Sequence, residues 1–277
     1  MSALSRTHRI PRSIWVGAVA AVVYVTIAAG VGDLLGGLAG DDQSLAMVLG
    51  TWIPVAALIL AGLVLIRRAG WTREVWRAPS PFTERRRWWL LAIPVGLAVQ
   101  TILILVAVPW ADRAVSLVVV FLVGSLLVGI GEELYFRGIF RTAVLGHHGE
   151  LAALLLTSLA FGLAHTVKFI TEGLPVAATA LDVAFLAMNG ALFYGALRAT
   201  GTLWVPVVLH GLGDFGRFMQ QGGEEDTSAQ TFGSNAADAI MEYLLIGLSL
   251  ALVVSLVRER LRARQPTSRT RTPNSSP

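Results

Sequence analysis

The chain has no cysteine, which excludes disulfides, a thiol nucleophile and thiolate metal sites. It is also poor in charge. Asp, Glu, Lys and Arg make up 14% of its 277 residues, against about 25% in a soluble globular chain, so most of its surface must meet lipid. Lysine is almost missing: Lys168 is the single one among 22 basic residues. There is no HExxH, no Walker loop and no serine in a GxSxG setting, which removes the commonest metalloprotease, nucleotide-hydrolase and serine-hydrolase signatures. Ser125 and Ser158 are isolated small polar residues of the kind that pack helices. The sequence contains no internal repeat and no soluble domain.

What is there is apolar, at 55% hydrophobic residues. A bilayer core takes ~20 mostly apolar residues per helix. Eight segments fit: 14–31, 45–66, 88–110, 114–137, 151–170, 174–197, 202–218 and 239–257, the seventh being short. The first follows RTHRIPR, like a signal peptide, but its apolar run exceeds the usual ~7–15 residues, so a retained helix is expected. The fold class expected is all-α: a polytopic bundle of about eight transmembrane helices.

Orientation follows the Lys/Arg bias of the loops. With eight spans and both termini cytoplasmic, nineteen of the 22 basic residues fall on the cytoplasmic side. They include Arg6, Arg9, Arg12, seven arginines from Arg67 to Arg87, Arg137, Arg141, Arg198 and six from Arg258 to Arg271. Arg113, Lys168 and Arg217 fall opposite, where GDLLGGLAGDDQS and GGEEDTSAQ are acidic. The arginines therefore form no nucleic-acid-binding face, and no nucleic-acid partner is expected. Residues 1–110 hold three helices and the basic, Trp-rich loop 67–88. That loop reads as a cytoplasmic connection with tryptophans at the headgroups; its composition also suits an amphipathic surface helix. Residues 111–257 form the core, and 258–277 read as a basic, disordered tail.

Charge inside the spans is the informative part, because it needs a partner or a watery cavity. Gln100, Asp182 and Asn189 stand alone. Asp33, Asp238 and Glu242 lie near helix ends, within reach of the interface. Three places remain: Glu132-Glu133 with Arg137, His165, and His210 with Asp214. Glu133 and Arg137 are four apart and so share a helix face. Glu132 points ~100° away and has no base on its own helix, which makes it a candidate general base. A turn near His147–Gly149 puts Glu132 sixteen residues before His148 and His165 seventeen after it. In antiparallel helices both then lie at one depth, ~25 Å from the turn. His147 and His148 are read as surface. His210 and Asp214 share a face of the seventh segment.

A Glu, two His and an Asp can activate water. Glu132 would take the proton, His165 would help hold the water, and His210 would polarise a carbonyl. Asp214 would orient His210 or contribute to the oxyanion site. An alternative route has Glu132, His165 and His210 bind zinc with a water in the open position. Both routes lead to peptide hydrolysis within the membrane.

EELYFR, FGLAH and HGLGD resemble, in order and spacing, the EExxxR, FxxxH and HxxxN motifs of the CPBP family of CAAX prenyl endopeptidases and bacteriocin-processing or Abi proteins. The resemblance covers residues 85–257. It implies an intramembrane endopeptidase, with or without a metal, and a membrane-embedded or membrane-anchored peptide or protein as substrate. It implies catalytic roles for Glu132, His165 and His210, with Glu133 and Arg137 in support. Asp214 departs from the family's Asn, whose amide can donate a hydrogen bond where an ionised Asp cannot. The expected location is the bacterial plasma membrane. The competing readings are a non-catalytic Abi-type immunity or regulatory protein and an ion or proton transporter.

Overall fold

The computed structural model describes residues 10–78, 88–171, 173–223 and 236–263. In lipid a backbone must satisfy its hydrogen bonds internally. The described residues are accordingly helical, with one isolated bridge, Arg77 to Thr202, and no strand. Seven helices are long and apolar enough to cross a membrane: α1 (Ile14–Ala39), α2 (Gln43–Ala69), α3 (Trp88–Val106), α4 (Val115–Val144), α5 (Glu150–Ile170), α6 (Val176–Thr200) and, after the next helix, α8 (Ala236–Ala263). The helix between them, α7 (Trp204–Gln220), has 17 residues, short of a full span as expected. Asp42 caps the start of α2 by accepting from Leu45 N at 3.0 Å. Gly70 and Gly201, at φ +73° and +72°, end α2 and α6 in the left-handed conformation that glycine adopts most readily.

α4 is the centre of the bundle. It packs along α7, while α5 packs along α6. Membrane helices approach closely where residues are small, and glycines set both contacts. A Cβ on Gly129 would meet Val207 O at 2.7 Å and Gly211 N at 2.9 Å. A Cβ on Gly211 would meet Ser125 O at 2.9 Å and Leu126 Cα at 3.0 Å. The backbones of α4 and α7 thus touch one turn before Glu132-Glu133 and beside His210. Gly162 gives α5 the same access to Val183 and Ala187 of α6, one turn before His165. The far end of α7 is tied down by Arg113, which donates from Nε to Met219 O at 2.6 Å and from Nη2 to Gln220 O at 3.0 Å.

Several expectations are corrected. α4 does not leave the bundle at Arg137; it continues to Val144, and Arg137 and Arg141 are 0% and 3% exposed. Both bases have interior partners. Arg137 meets Glu133, and Arg141 donates from Nε to Arg137 O (2.7 Å) and from Nη2 to Glu74 O (2.6 Å). They are not loop charges. The tryptophans of loop 67–88 do not all lie at the headgroups: Trp71 is fully buried, as is Val75, whereas Trp88 is exposed. The loop's short helix, Thr72–Trp76, is stitched to the bundle by Arg12–Glu74 (2.7 Å) and by stacking of Trp76 on Trp204 (5.0 Å). Asp238 and Glu242 are buried rather than interfacial, and Arg217 reaches Glu242 at 3.5 Å. The tail is helical through Ala263. Arg6, Arg9, Arg85, Arg86, Arg87, most of GGEEDTSAQ and residues 264–277 lie outside the described residues. Asp33, His147 and His148 are exposed, as expected.

Candidate active site

The site begins with a local change in α4. Its backbone is α-helical through Glu133 and then makes a wider π stretch, Leu134–Phe140, all seven residues of which are buried. Such stretches recur at functional sites because the extra residue re-aims side chains. Here the wide turn holds Arg137 inside the bundle. Its guanidinium lies 4.1 Å from the centre of the Phe161 ring, a cation–π contact. Gly190 of α6 leaves room for it: a Cβ there would meet Arg137 Nη2 at 2.9 Å.

Glu133 is fully buried and accepts from Arg137 Nη1 at 3.0 Å. The expected pair is therefore present, but it is not the whole of Glu133's bonding. The same oxygen, Oε1, lies 3.1 Å from His210 Nδ1. An ionised carboxylate has about four lone-pair positions, so pairing with Arg137 leaves capacity for a second donor. On the other side of the ring, His210 Nε2 lies 3.3 Å from Asp214 Oδ2 and 3.7 Å from Glu132 Oε2. The ring itself is clamped, stacked on Phe193 at 4.6 Å and 14° and edge-on to Phe161 at 5.8 Å.

One expectation changes here. Glu132 and Glu133 are expected to face different neighbours because they point ~100° apart. They meet the same histidine, since an imidazole presents a nitrogen on each side and sits between the two carboxylates. Asp214, expected to orient His210 or contribute to the oxyanion site, lies against Nε2 beside Glu132. Glu133 holds the ring from Nδ1 as well. With Nδ1–H donated to Glu133, a hydrogen bond between Nε2 and Asp214 needs a further proton shared between those two atoms. Among the described residues, Glu132 Oε2 is buried and has no hydrogen-bond partner.

His165 ends the first part of α5 as its C-cap residue, at the break before Thr166–Thr171. Its Nδ1 lies 2.9 Å from Phe161 O, and a carbonyl accepts, so Nδ1 is the protonated nitrogen of the neutral ring and Nε2 is the acceptor. The ring packs between Phe161 (5.2 Å) and Phe169 (6.5 Å). It lies within electrostatic reach of Glu132, in keeping with their equal depth. Glu132, His165 and Asp214 are half-buried, whereas Glu133 and Arg137 are sealed off. The accessible rim of the site is thus Glu132, His165 and Asp214, and its floor is Glu133, Arg137 and His210.

The fit to a metal is poor. Among the described residues no group of three or more His, Asp or Glu is arranged to hold an ion. With Nδ1 against Glu133, His210 offers an ion a lone pair on Nε2 only without the proton shared with Asp214.

Asp182, read as isolated, is 5% exposed, and its Oδ2 has no hydrogen-bond partner among the described residues.

Residues 114–216, which include every residue of this site, match the family model described as type II CAAX prenyl endopeptidase Rce1-like. No curated protein and no solved structure matches the chain.

Proposed function

We infer the function from a premise: through residues 114–216 the chain belongs to the type II CAAX prenyl endopeptidase Rce1-like family, and its seven spans make it an integral, multi-pass membrane protein. On that premise it is an intramembrane endopeptidase that hydrolyses a peptide bond of a membrane-anchored protein or peptide. The observation that carries this reading is the convergence of three carboxylates from α4 and α7 on His210, with His165 of α5 against the same Phe161 ring. A scaffold that only bound a partner would gain nothing from burying them, since each unmatched charge is costly in lipid.

The chemistry follows from the two layers of the site. Glu132, on the rim with a free carboxylate oxygen, takes a proton from water as the water oxygen attacks the scissile carbonyl. His165, with Nε2 free to accept, holds the water. The carbonyl π electrons move to oxygen, and His210 faces that developing charge. The intermediate collapses, the C–N bond breaks, and Glu132 returns its proton to the leaving amine. Glu133 and Arg137 do not touch substrate. Glu133 fixes the His210 ring, and Arg137 compensates its buried charge. Asp214, also on the rim, lies against His210 Nε2 at 3.3 Å. No step is routed through a metal, in keeping with the donor arrangement.

The arginine-rich loops suit a bacterial plasma membrane with both termini inside; α4 then runs inward and α5 and α7 outward, which sets the rim of the site on the outward side of its floor. The test is incubation of the protein, in proteoliposomes, with a library of membrane-anchored peptides, products being mapped by mass spectrometry. Glu132→Ala and His165→Ala are run beside it. Cleavage by the wild type alone is expected; equal product from all three would sink the site.

A further inference from the structure

The hydrolytic reading leaves one electrostatic problem, and the solution lies outside the family-matched segment. Attack on a carbonyl creates an oxyanion, which must be held by hydrogen-bond donors. The site is rich in acceptors: Glu132, Glu133 and Asp214 surround it. Its donors are sealed off or committed. Arg137 keeps Nε and Nη2 without a partner among the described residues, but it is fully buried against Phe161, and His210 Nε2 faces two carboxylates.

α1 supplies another donor. Tyr24 is 2% exposed, so its position is set by packing. Its ring lies 4.7 Å from that of Tyr135 at 30° and meets Phe136 edge-on at 6.5 Å. Its hydroxyl comes against the backbone just before the rim carboxylate: a Cβ on Gly131 would lie 2.7 Å from Tyr24 Oη. A glycine at 131 is what lets the hydroxyl in. Glu132, Glu133 and Asp214 all act electrostatically on Tyr24. The neighbouring Tyr135 hydroxyl is spent on Leu58 O at 2.9 Å. That of Tyr24 makes no hydrogen bond among the described residues. A neutral phenol within electrostatic reach of three carboxylates brings a donor without adding charge, and tyrosine remains protonated at neutral pH with an ordinary value near ~10.

We propose that Tyr24 is a catalytic residue: its O–H donates to the oxyanion of the tetrahedral intermediate formed over Glu132. The inference rests on the hydrolytic reading above. α1 then has a function beyond anchoring, since it completes the site from outside residues 114–216. No covalent change at Tyr24 is involved. The phenol keeps its proton, which is shared with the oxyanion until the C–N bond breaks.

The experiment is Tyr24→Phe, which keeps the ring between Tyr135 and Phe136 and removes only the hydroxyl. With a peptide that the wild type cleaves, kcat is expected to fall about 10²-fold, the usual effect of losing one oxyanion donor, with KM within about threefold. A membrane-anchored peptide bearing a phosphonamidate at the scissile position, a tetrahedral anion, is expected to bind Tyr24→Phe at least about tenfold more weakly than wild type. Affinity for the uncleaved peptide, measured in a Glu132→Gln background, is expected to stay level. A kcat within threefold of wild type overturns the proposal. So does a loss of activity matched by a fall in melting temperature, which would make Tyr24 merely structural. If Glu132→Gln is inactive while Tyr24→Phe is fully active, the proposal fails and the hydrolytic reading stands. If the wild type cleaves no peptide, both fail.

Discussion

Arg137→Met isolates the buried ion pair. The substitution keeps an unbranched side chain of similar length over Phe161, so little volume is lost. What is lost is the 3.0 Å contact to Glu133, whose side chain is fully buried. Removing one partner of a buried pair costs about 3–5 kcal/mol, because the other charge is left uncompensated. The cation–π contact with Phe161 at 4.1 Å adds about 1 kcal/mol. The expected destabilisation is therefore ~4–6 kcal/mol. At roughly 2 °C per kcal/mol for a chain of this size, the melting temperature in detergent should fall by about 8–12 °C. A second variant checks the cause. In Glu133→Gln/Arg137→Met no charge is stranded, so the double variant should recover at least ~2 kcal/mol relative to additivity. It should remain inactive, because a glutamine holds His210 with a weaker acceptor. The assay is thermal unfolding of all four proteins in one detergent. A single variant within about 1 kcal/mol of wild type, or strictly additive effects, would refute the claim that Glu133 is an anion whose charge Arg137 balances.

Other predictions concern the same site. Gly129→Ala puts a methyl 2.7 Å from Val207 O and 2.9 Å from Gly211 N; backbone cannot rotate away, so α4 and α7 must separate, with a loss of about 1–3 kcal/mol and of most activity, read by melting and peptide cleavage. Glu133→Gln should lower kcat far more than it changes KM, since it reaches the substrate only through His210; an unchanged kcat would remove its orienting role. Trp76→Ala breaks the 5.0 Å stack on Trp204 and should cost about 1–2 kcal/mol, since Trp76 is half-buried and Trp204 exposed, which limited proteolysis of the 67–78 segment would reveal as faster cutting. Prolonged treatment with a strong zinc chelator is expected to leave at least half the activity, because no three-ligand group exists among the described residues; loss of activity restored by zinc would show that the donors rearrange around an ion.

Much of this architecture is legible in the sequence, for identifiable reasons. Apolar runs of span length mark helices, because lipid leaves the backbone no alternative. Spacing of four links Glu133 to Arg137 and His210 to Asp214, and both contacts are present at 3.0 and 3.3 Å. Helix rise alone brings Glu132 and His165 to one depth. The differences share a cause: in a sequence, charge reads as a sign of water. Arg137 and Arg141 look like a helix exit until their partners are seen, one a carboxylate a turn away and the other a carbonyl at Glu74, 67 residues earlier. Trp71 looks like a headgroup anchor for the same reason. Glu242 looks interfacial because hydropathy cannot see Arg217 arriving from α7. Glu133 was left with one partner because helical spacing reports contacts within a helix and is blind to His210, 77 residues on. Tyr24 carried no signal at all. A tyrosine in an apolar run reads as core, and only the glycine at 131 against its hydroxyl shows where that hydroxyl goes.

The central claim is that Glu132, on the rim, does the chemistry while Glu133, on the floor, holds the machinery. It is tested most directly by the single-turnover rate of Glu132→Gln on a membrane-anchored peptide that the wild type cleaves, with melting temperature and peptide affinity measured on the same preparation. The account predicts a chemical step slower by at least about 10²-fold in a protein that melts and binds as the wild type does. Cleavage by Glu132→Gln at the wild-type rate would contradict it.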